Sequence, residues 1–220
     1  PAAVEAIQEH TAGGTADEAL PLVVVIHGLG DTPAAFWRLF QGFPKRAHFV
    51  VPAGGLKWGD GFAWWPITGE INENNMAAGM DSAAPRLMAA IRTWRGGRVV
   101  GKPIVAGFSQ GGMLSFALAA KYPAEIAAAV PVSGMLPTPM VPVAWPPGAP
   151  QPHIVALHGD ADTRVPFALG QRTVASLRAL GVDVELKTYP GVGHSISAEM
   201  RRDLFVELGA AIEREAKASP

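Results

Sequence analysis

Residues 107–112 read Gly-Phe-Ser-Gln-Gly-Gly and set one serine, Ser109, between Gly107 and Gly111, directly after the apolar run 103–106. A serine hydroxyl is a weak nucleophile until a base takes its proton. Near neutral pH a histidine does this best, with a carboxylate fixing its tautomer. Both partners follow in the chain. His158-Gly159-Asp160-Ala161-Asp162 comes after the run 153–157, and Gly193-His194-Ser195 after the run 182–188. The order Ser109, acid, His194 is the one expected when a strand, a sharp turn and a buried helix present a nucleophile. His194 is preferred as base because His27 and His158 lie inside Gly-rich turns, where a histidine more often braces the loop. His10, His48 and His153 read as structural or exposed. The two acids stand level: Asp160 suits an Asx-type bond within its turn, and Asp162 reaches further out. The developing oxyanion also needs donors. The N–H of Gln110 is one, and that of Leu29, in the turn His27-Gly28-Leu29-Gly30, is the other. That turn has neither the Gly-Lys-Ser/Thr of a phosphate-binding loop nor dinucleotide spacing.

These residues need a scaffold that brings four turns together. Short apolar runs at Leu22–Ile26, 47–51, 103–106, 127–132, 153–157 and 182–188 read as buried parallel strands. Helical patterns lie between most of them. In 83–94, Leu87, Ile91 and Trp94 fall at helical spacing, with Asp81 and Ser82 as caps; Gln110–Lys121 is apolar nearly all round and is expected to be buried; 167–180 ends at Gly181; 198–216 is amphipathic. Alternation of strands and helices predicts an α/β fold with a mainly parallel sheet. Ligands on such sheets gather at the carboxyl ends of the strands, where all four Gly-rich turns sit. Residues 1–20 read as a peripheral arm or edge segment, and 21–220 as a single domain.

The bulk composition narrows the partners. The 220 residues are 49% apolar with a net charge of −1, which leaves no basic surplus for nucleic acid. No apolar run approaches the roughly 18 residues of a membrane span. The absence of cysteine excludes disulfides, thiolate catalysis and Cys-based zinc sites. A start at Pro1, with no Met and no charged-then-apolar leader, is read as trimmed or processed, and a cytoplasmic location is expected.

The turns His27-Gly28-Leu29-Gly30-Asp31-Thr32, Gly107-Phe108-Ser109-Gln110-Gly111-Gly112, His158-Gly159-Asp160-Ala161-Asp162 with Val165-Pro166, and Gly193-His194-Ser195 together resemble the phospholipase/carboxylesterase family of α/β-hydrolases over about residues 21–212. The resemblance implies an α/β-hydrolase fold with helices on both faces of the sheet. It also implies ester or thioester hydrolysis through an acyl-enzyme, without metal or cofactor. It assigns the acid to the second aspartate, Asp162, and supports Leu29 and Gln110 as oxyanion donors. Two segments depart from the usual pattern. In 51–70, which is similar to the esterase-like branch, Trp64 and Trp65 are expected to wall the substrate pocket. In 135–152, which holds seven prolines, Met135, Leu136 and Trp145 are expected to overhang it. The expected function is a serine carboxylesterase acting on short to medium acyl esters. The alternative is an acyl-protein thioesterase or lysophospholipase acting on longer chains. The partner is a small-molecule ester, and homodimerisation stays open.

Overall fold

A computed structural model describes residue 4, residues 6–68 and residues 72–218. Among them nine strands and five α-helices follow one another along the chain. They are β1 (Ala6–Ala12), β2 (Leu22–Ile26), α1 (Pro33–Trp37), β3 (Ala47–Pro52), β4 (Leu56–Trp58), β5 (Gly61–Ala63), α2 (Glu73–Trp94) and β6 (Ile104–Phe108). After these come α3 (Gln110–Lys121), β7 (Ala128–Val132), β8 (His153–Gly159), α4 (Phe167–Ala179), β9 (Val184–Tyr189) and α5 (Ala198–Lys217). Seven strands form one sheet in the order β1-β3-β2-β6-β7-β8-β9, parallel except for β1. β4 and β5 form a separate antiparallel hairpin within 51–70, of which Gly69 and Glu70 lie outside the described residues.

β2, β6, β7 and β8 read as apolar runs because both faces of the sheet are covered there, whereas the edge strand β9 buries only Val184 and Tyr189. Alternate residues of β2 serve opposite cores. Leu22, Val24 and Ile26 pack with Leu87, Met88 and Ile91 of α2 and with Leu114 of α3; Val23 and Val25 pack with Phe36, Phe40, Leu204 and Leu208 beside α1 and α5. α3 is buried along its whole length except for Lys121, as its all-round apolar pattern predicts. The chain runs from β2 outward to β3 and then crosses back to β6. The strand order therefore reverses between β2 and β6, and a crevice opens above their carboxyl ends.

β1 forms one edge of the sheet, paired antiparallel with β3, within the segment read as an arm or edge, whose residues 1–3 and 5 lie outside the described residues. Two expectations need correction. α2 starts at Glu73, capped by Asn72 Oδ1 on the N–H of Asn75, not near Asp81 and Ser82. Gly79 disguises its first turns in the sequence, and Pro85 falls within the part read as helix, yet each has a place. Pro85 lies on an exposed face, and a Cβ at Gly79 would collide with the ring of Trp65. The last parallel strand spans Val184–Tyr189, shifted from 182–188.

Candidate active site

Ser109 follows β6 and caps α3 with φ 57° and ψ −115°, a left-handed conformation that side chains rarely adopt. The surroundings hold it there. Its N–H donates to Val132 O at 3.0 Å, and its carbonyl accepts from Met113 N–H at 2.9 Å. The flanking glycines are required by contact rather than by dihedral. A Cβ at Gly107 would run into the backbone of Gly111, and one at Gly111 into the carbonyls of Ile26 and His27. Strand and helix can approach this closely only without side chains there.

Three strand ends meet at the serine. His194, in the loop after β9, lies with Nε2 3.0 Å from Ser109 Oγ and Nδ1 2.8 Å from Asp162 Oδ2. Asp162, in the loop after β8, is 4% exposed, and its other oxygen accepts the N–H groups of Arg164 and Val165 at 3.0 Å each. Its lone pairs are thus directed by backbone on one side and by the imidazole on the other. Asp160 does different work: its Oδ1 accepts Gly191 N–H at 2.7 Å and so anchors the loop that carries His194. His158 is buried and donates Nε2–H to Val165 O at 2.9 Å, with Asp162 Oδ2 at 3.5 Å. Burial holds its imidazole below the ordinary histidine range, and the hydrogen bond to Val165 only partly opposes this.

The loop after β2 is braced just as tightly. His27 is fully buried. Its Nδ1–H donates to Gly28 O at 2.6 Å, and its Nε2 accepts Gly54 N–H at 3.0 Å. Only the neutral imidazole can make both bonds, since a proton on Nε2 would point at another N–H. Burial accordingly pushes its pKa down. Gly30 N–H donates to Phe62 O at 2.8 Å, and Phe62 N–H to Asp31 O at 3.0 Å, so β5 clamps the loop from outside. Leu29 sits between these bonded neighbours, and both Leu29 and Gln110 line the cleft beside Ser109. The N–H of Gln110 is the first of α3, where helical geometry supplies no acceptor.

The cleft above the serine has a volume of about 810 Å³. Trp65 lines it, together with Trp58, Met76, Phe108, Met113 and Val165. The other residues expected to shape the pocket lie elsewhere. Trp64 is 1% exposed and turned inward, donating Nε1–H to His27 O at 3.0 Å. Met135 and Leu136 are buried against the core beneath α4, where Leu136 N–H donates to Thr173 Oγ1 at 2.9 Å. Trp145 packs on the same core. The proline-rich segment leads away from the cleft because its start is tied down elsewhere. Thr138 Oγ1 donates to Glu73 at 3.0 Å, and Glu73 also pairs with Arg172 of α4.

Groups not singled out from the sequence also belong to this site. The Gln110 side chain accepts Trp64 N–H at 3.0 Å through Oε1 and donates Nε2–H to Trp65 O at 3.1 Å. Met76 falls in the concealed first turns of α2. Arg164 lies two residues beyond Asp162, and only contact with the cleft marks it.

A model of the phospholipase/carboxylesterase family matches residues 11–208. A probable carboxylesterase, SOBER1-like, from Arabidopsis thaliana is 38% identical over 197 residues, 80% of this chain and 73% of that protein. Acyl-protein thioesterase 1 of Neurospora crassa is 28% identical over 223 residues, covering 90% and 86%. Among solved structures, esterase PE8 superposes with a TM-score of 0.81 at 25% identity, covering 96% of this chain and all of that one (100%).

Proposed function

The chain belongs to the phospholipase/carboxylesterase family of hydrolases, and from that premise we propose that it is a serine carboxylesterase that cleaves short to medium acyl esters through an acyl-enzyme. One observation carries the reading: the hydrogen-bonded line from Asp162 through His194 to Ser109, with 2.8 and 3.0 Å links, opens into an apolar-walled cleft. Ser109 Oγ attacks the ester carbonyl while His194 Nε2 takes its proton. Asp162 holds the proton on Nδ1 and stabilises the imidazolium that forms. The N–H groups of Leu29 and Gln110 receive the oxyanion. Collapse of the tetrahedral intermediate expels the alcohol, which takes the proton from His194. Water then repeats the sequence on the acyl-enzyme and restores Ser109.

Polar residues support a preference for shorter chains. Asp31, Thr68, Asn75 and Arg164 interrupt the apolar lining, so a long acyl chain would meet polar groups before it was fully covered. Among the described residues no helix is long and apolar enough to cross a membrane. The experiment is hydrolysis of 4-nitrophenyl esters from acetate to palmitate, with a thioester in parallel, by wild type and Ser109→Ala. Ser109-dependent turnover with an optimum at short to medium chains is expected. An optimum at palmitoyl length, or a dominant thioester rate, would replace this reading with the long-chain thioesterase one.

A further inference from the structure

We propose that Arg164 makes this enzyme select esters that carry a carboxylate away from the scissile bond, a specificity that rests on the serine-esterase reading above. Arg164 is the one permanently cationic side chain among the described residues that line the cleft. Its guanidinium has no ion-pair partner among the described residues.

The backbone beneath Arg164 is held firmly. Its own N–H and that of Val165 both donate to Asp162 Oδ1, Val165 O accepts from His158, and Pro166 restricts the residue before it. An arginine on so fixed a base, exposed and facing a substrate cleft, is a ready carboxylate receptor, because its planar fork can donate two parallel hydrogen bonds. The nearby carboxylates do not satisfy it. Asp162 is buried and committed to His194 and to backbone N–H groups. Asp31, the only carboxylate among the described lining residues, follows β2, three strand spacings from β8, or about 14 Å across the top of the sheet.

Ser109 follows β6, two spacings or about 10 Å from the strand that leads to Arg164. A side chain as long as arginine shortens that gap. The anionic group it would meet therefore lies several atoms from the reacting carbonyl, either at the far end of the acyl chain or on the leaving alcohol.

The test measures kcat/KM in two matched pairs. Mono-4-nitrophenyl adipate against 4-nitrophenyl hexanoate places the carboxylate on the acyl side, and 4-acetoxybenzoate against phenyl acetate places it on the leaving group. Spontaneous hydrolysis is subtracted, and the anionic-to-neutral ratio is compared among wild type, Arg164→Lys, Arg164→Ala and Arg164→Glu. In one arm the ratio should fall roughly threefold to tenfold in the alanine variant, fall further in the glutamate variant and be largely retained by lysine. The wild-type ratio in that arm should also decline with added salt. The responding arm identifies which side of the ester carries the charge. Ratios that coincide for all four proteins in both arms would overturn the proposal. Failure of the esterase reading itself looks different, because neutral esters would then show no Ser109-dependent turnover in any protein.

Discussion

Gln110→Ala isolates a role that the backbone argument alone would miss. The variant keeps the N–H next to Ser109 but removes a buried amide that bonds Trp64 N–H at 3.0 Å and Trp65 O at 3.1 Å. Gln110 is 3% exposed, so both backbone groups lose their partners inside the protein. Leaving a buried polar group unpaired costs about 1–3 kcal/mol, so two cost roughly 2–6 kcal/mol. For a chain of this size each kcal/mol lowers Tm by about 2–4 °C, which places the expected drop at about 12 °C for a central cost of about 4 kcal/mol. Trp65 walls the cleft and the 54–65 segment braces the loop bearing Leu29, so kcat/KM should fall as well. Gln110→Glu adds a check on sign. A carboxyl buried there favours its neutral form, so its folded pKa rises. The contribution of that carboxyl to stability is then greatest below about pH 4.3, the unfolded value, and is lost as pH rises through the folded value. Scanning calorimetry and an ester assay on the same samples would decide the matter. A Gln110→Ala enzyme with Tm within about 2 °C of wild type and unchanged kcat/KM would refute the clamp.

Further outcomes are expected. Asp162→Asn should lower kcat by on the order of 10⁴ with the fold intact, as loss of a triad acid does. Asp160→Asn should act mainly on Tm through the Gly191 bond, and steady-state kinetics beside thermal melts separate the two. His27 and His158 are held neutral, with folded pKa values below the unfolded 6.5, so the unfolded chain binds more protons as pH falls. Their stabilisation should therefore be present above about pH 6.5 and be lost as pH drops toward the folded values, read as a falling denaturant midpoint that flattens in a His158→Gln variant. Trp65→Ala should shift the acyl-chain optimum toward longer esters, whereas Trp145→Ala should overlay the wild-type chain-length profile, since only the first residue lines the cleft.

The parallel sheet and the meeting of Ser109 and His194 with an acid from the turn after β8 were legible because each rests on local pattern, whereas the choice of Asp162 over Asp160 came from the family resemblance. Apolar runs mark buried strands, and Gly-rich turns mark their carboxyl ends. What stayed hidden depends on long-range packing. Residues 73–82 conceal helix because Gly79 lowers its local propensity, and the reason for that glycine is Trp65 pressed against it. Trp64 and Trp65 are adjacent and chemically alike, yet one faces His27 in the core and the other the cleft. Nothing in the pair itself distinguishes them. Met135, Leu136 and Trp145 follow a strand at the correct end of the sheet, but contacts through Thr138, Glu73 and Thr173 carry their segment over α2 and α4 instead. Strand ends predict where a loop leaves the sheet, not which way it turns.

The central claim is that Ser109 is the nucleophile and forms the acyl-enzyme. The most direct measurement is peptide mass spectrometry after treatment with a fluorophosphonate, which traps an activated serine covalently. A single adduct on Ser109, absent in Ser109→Ala and strongly slowed in His194→Ala, is predicted. An adduct on Ser133 or Ser195, or labelling that persists at full rate without His194, would contradict the account.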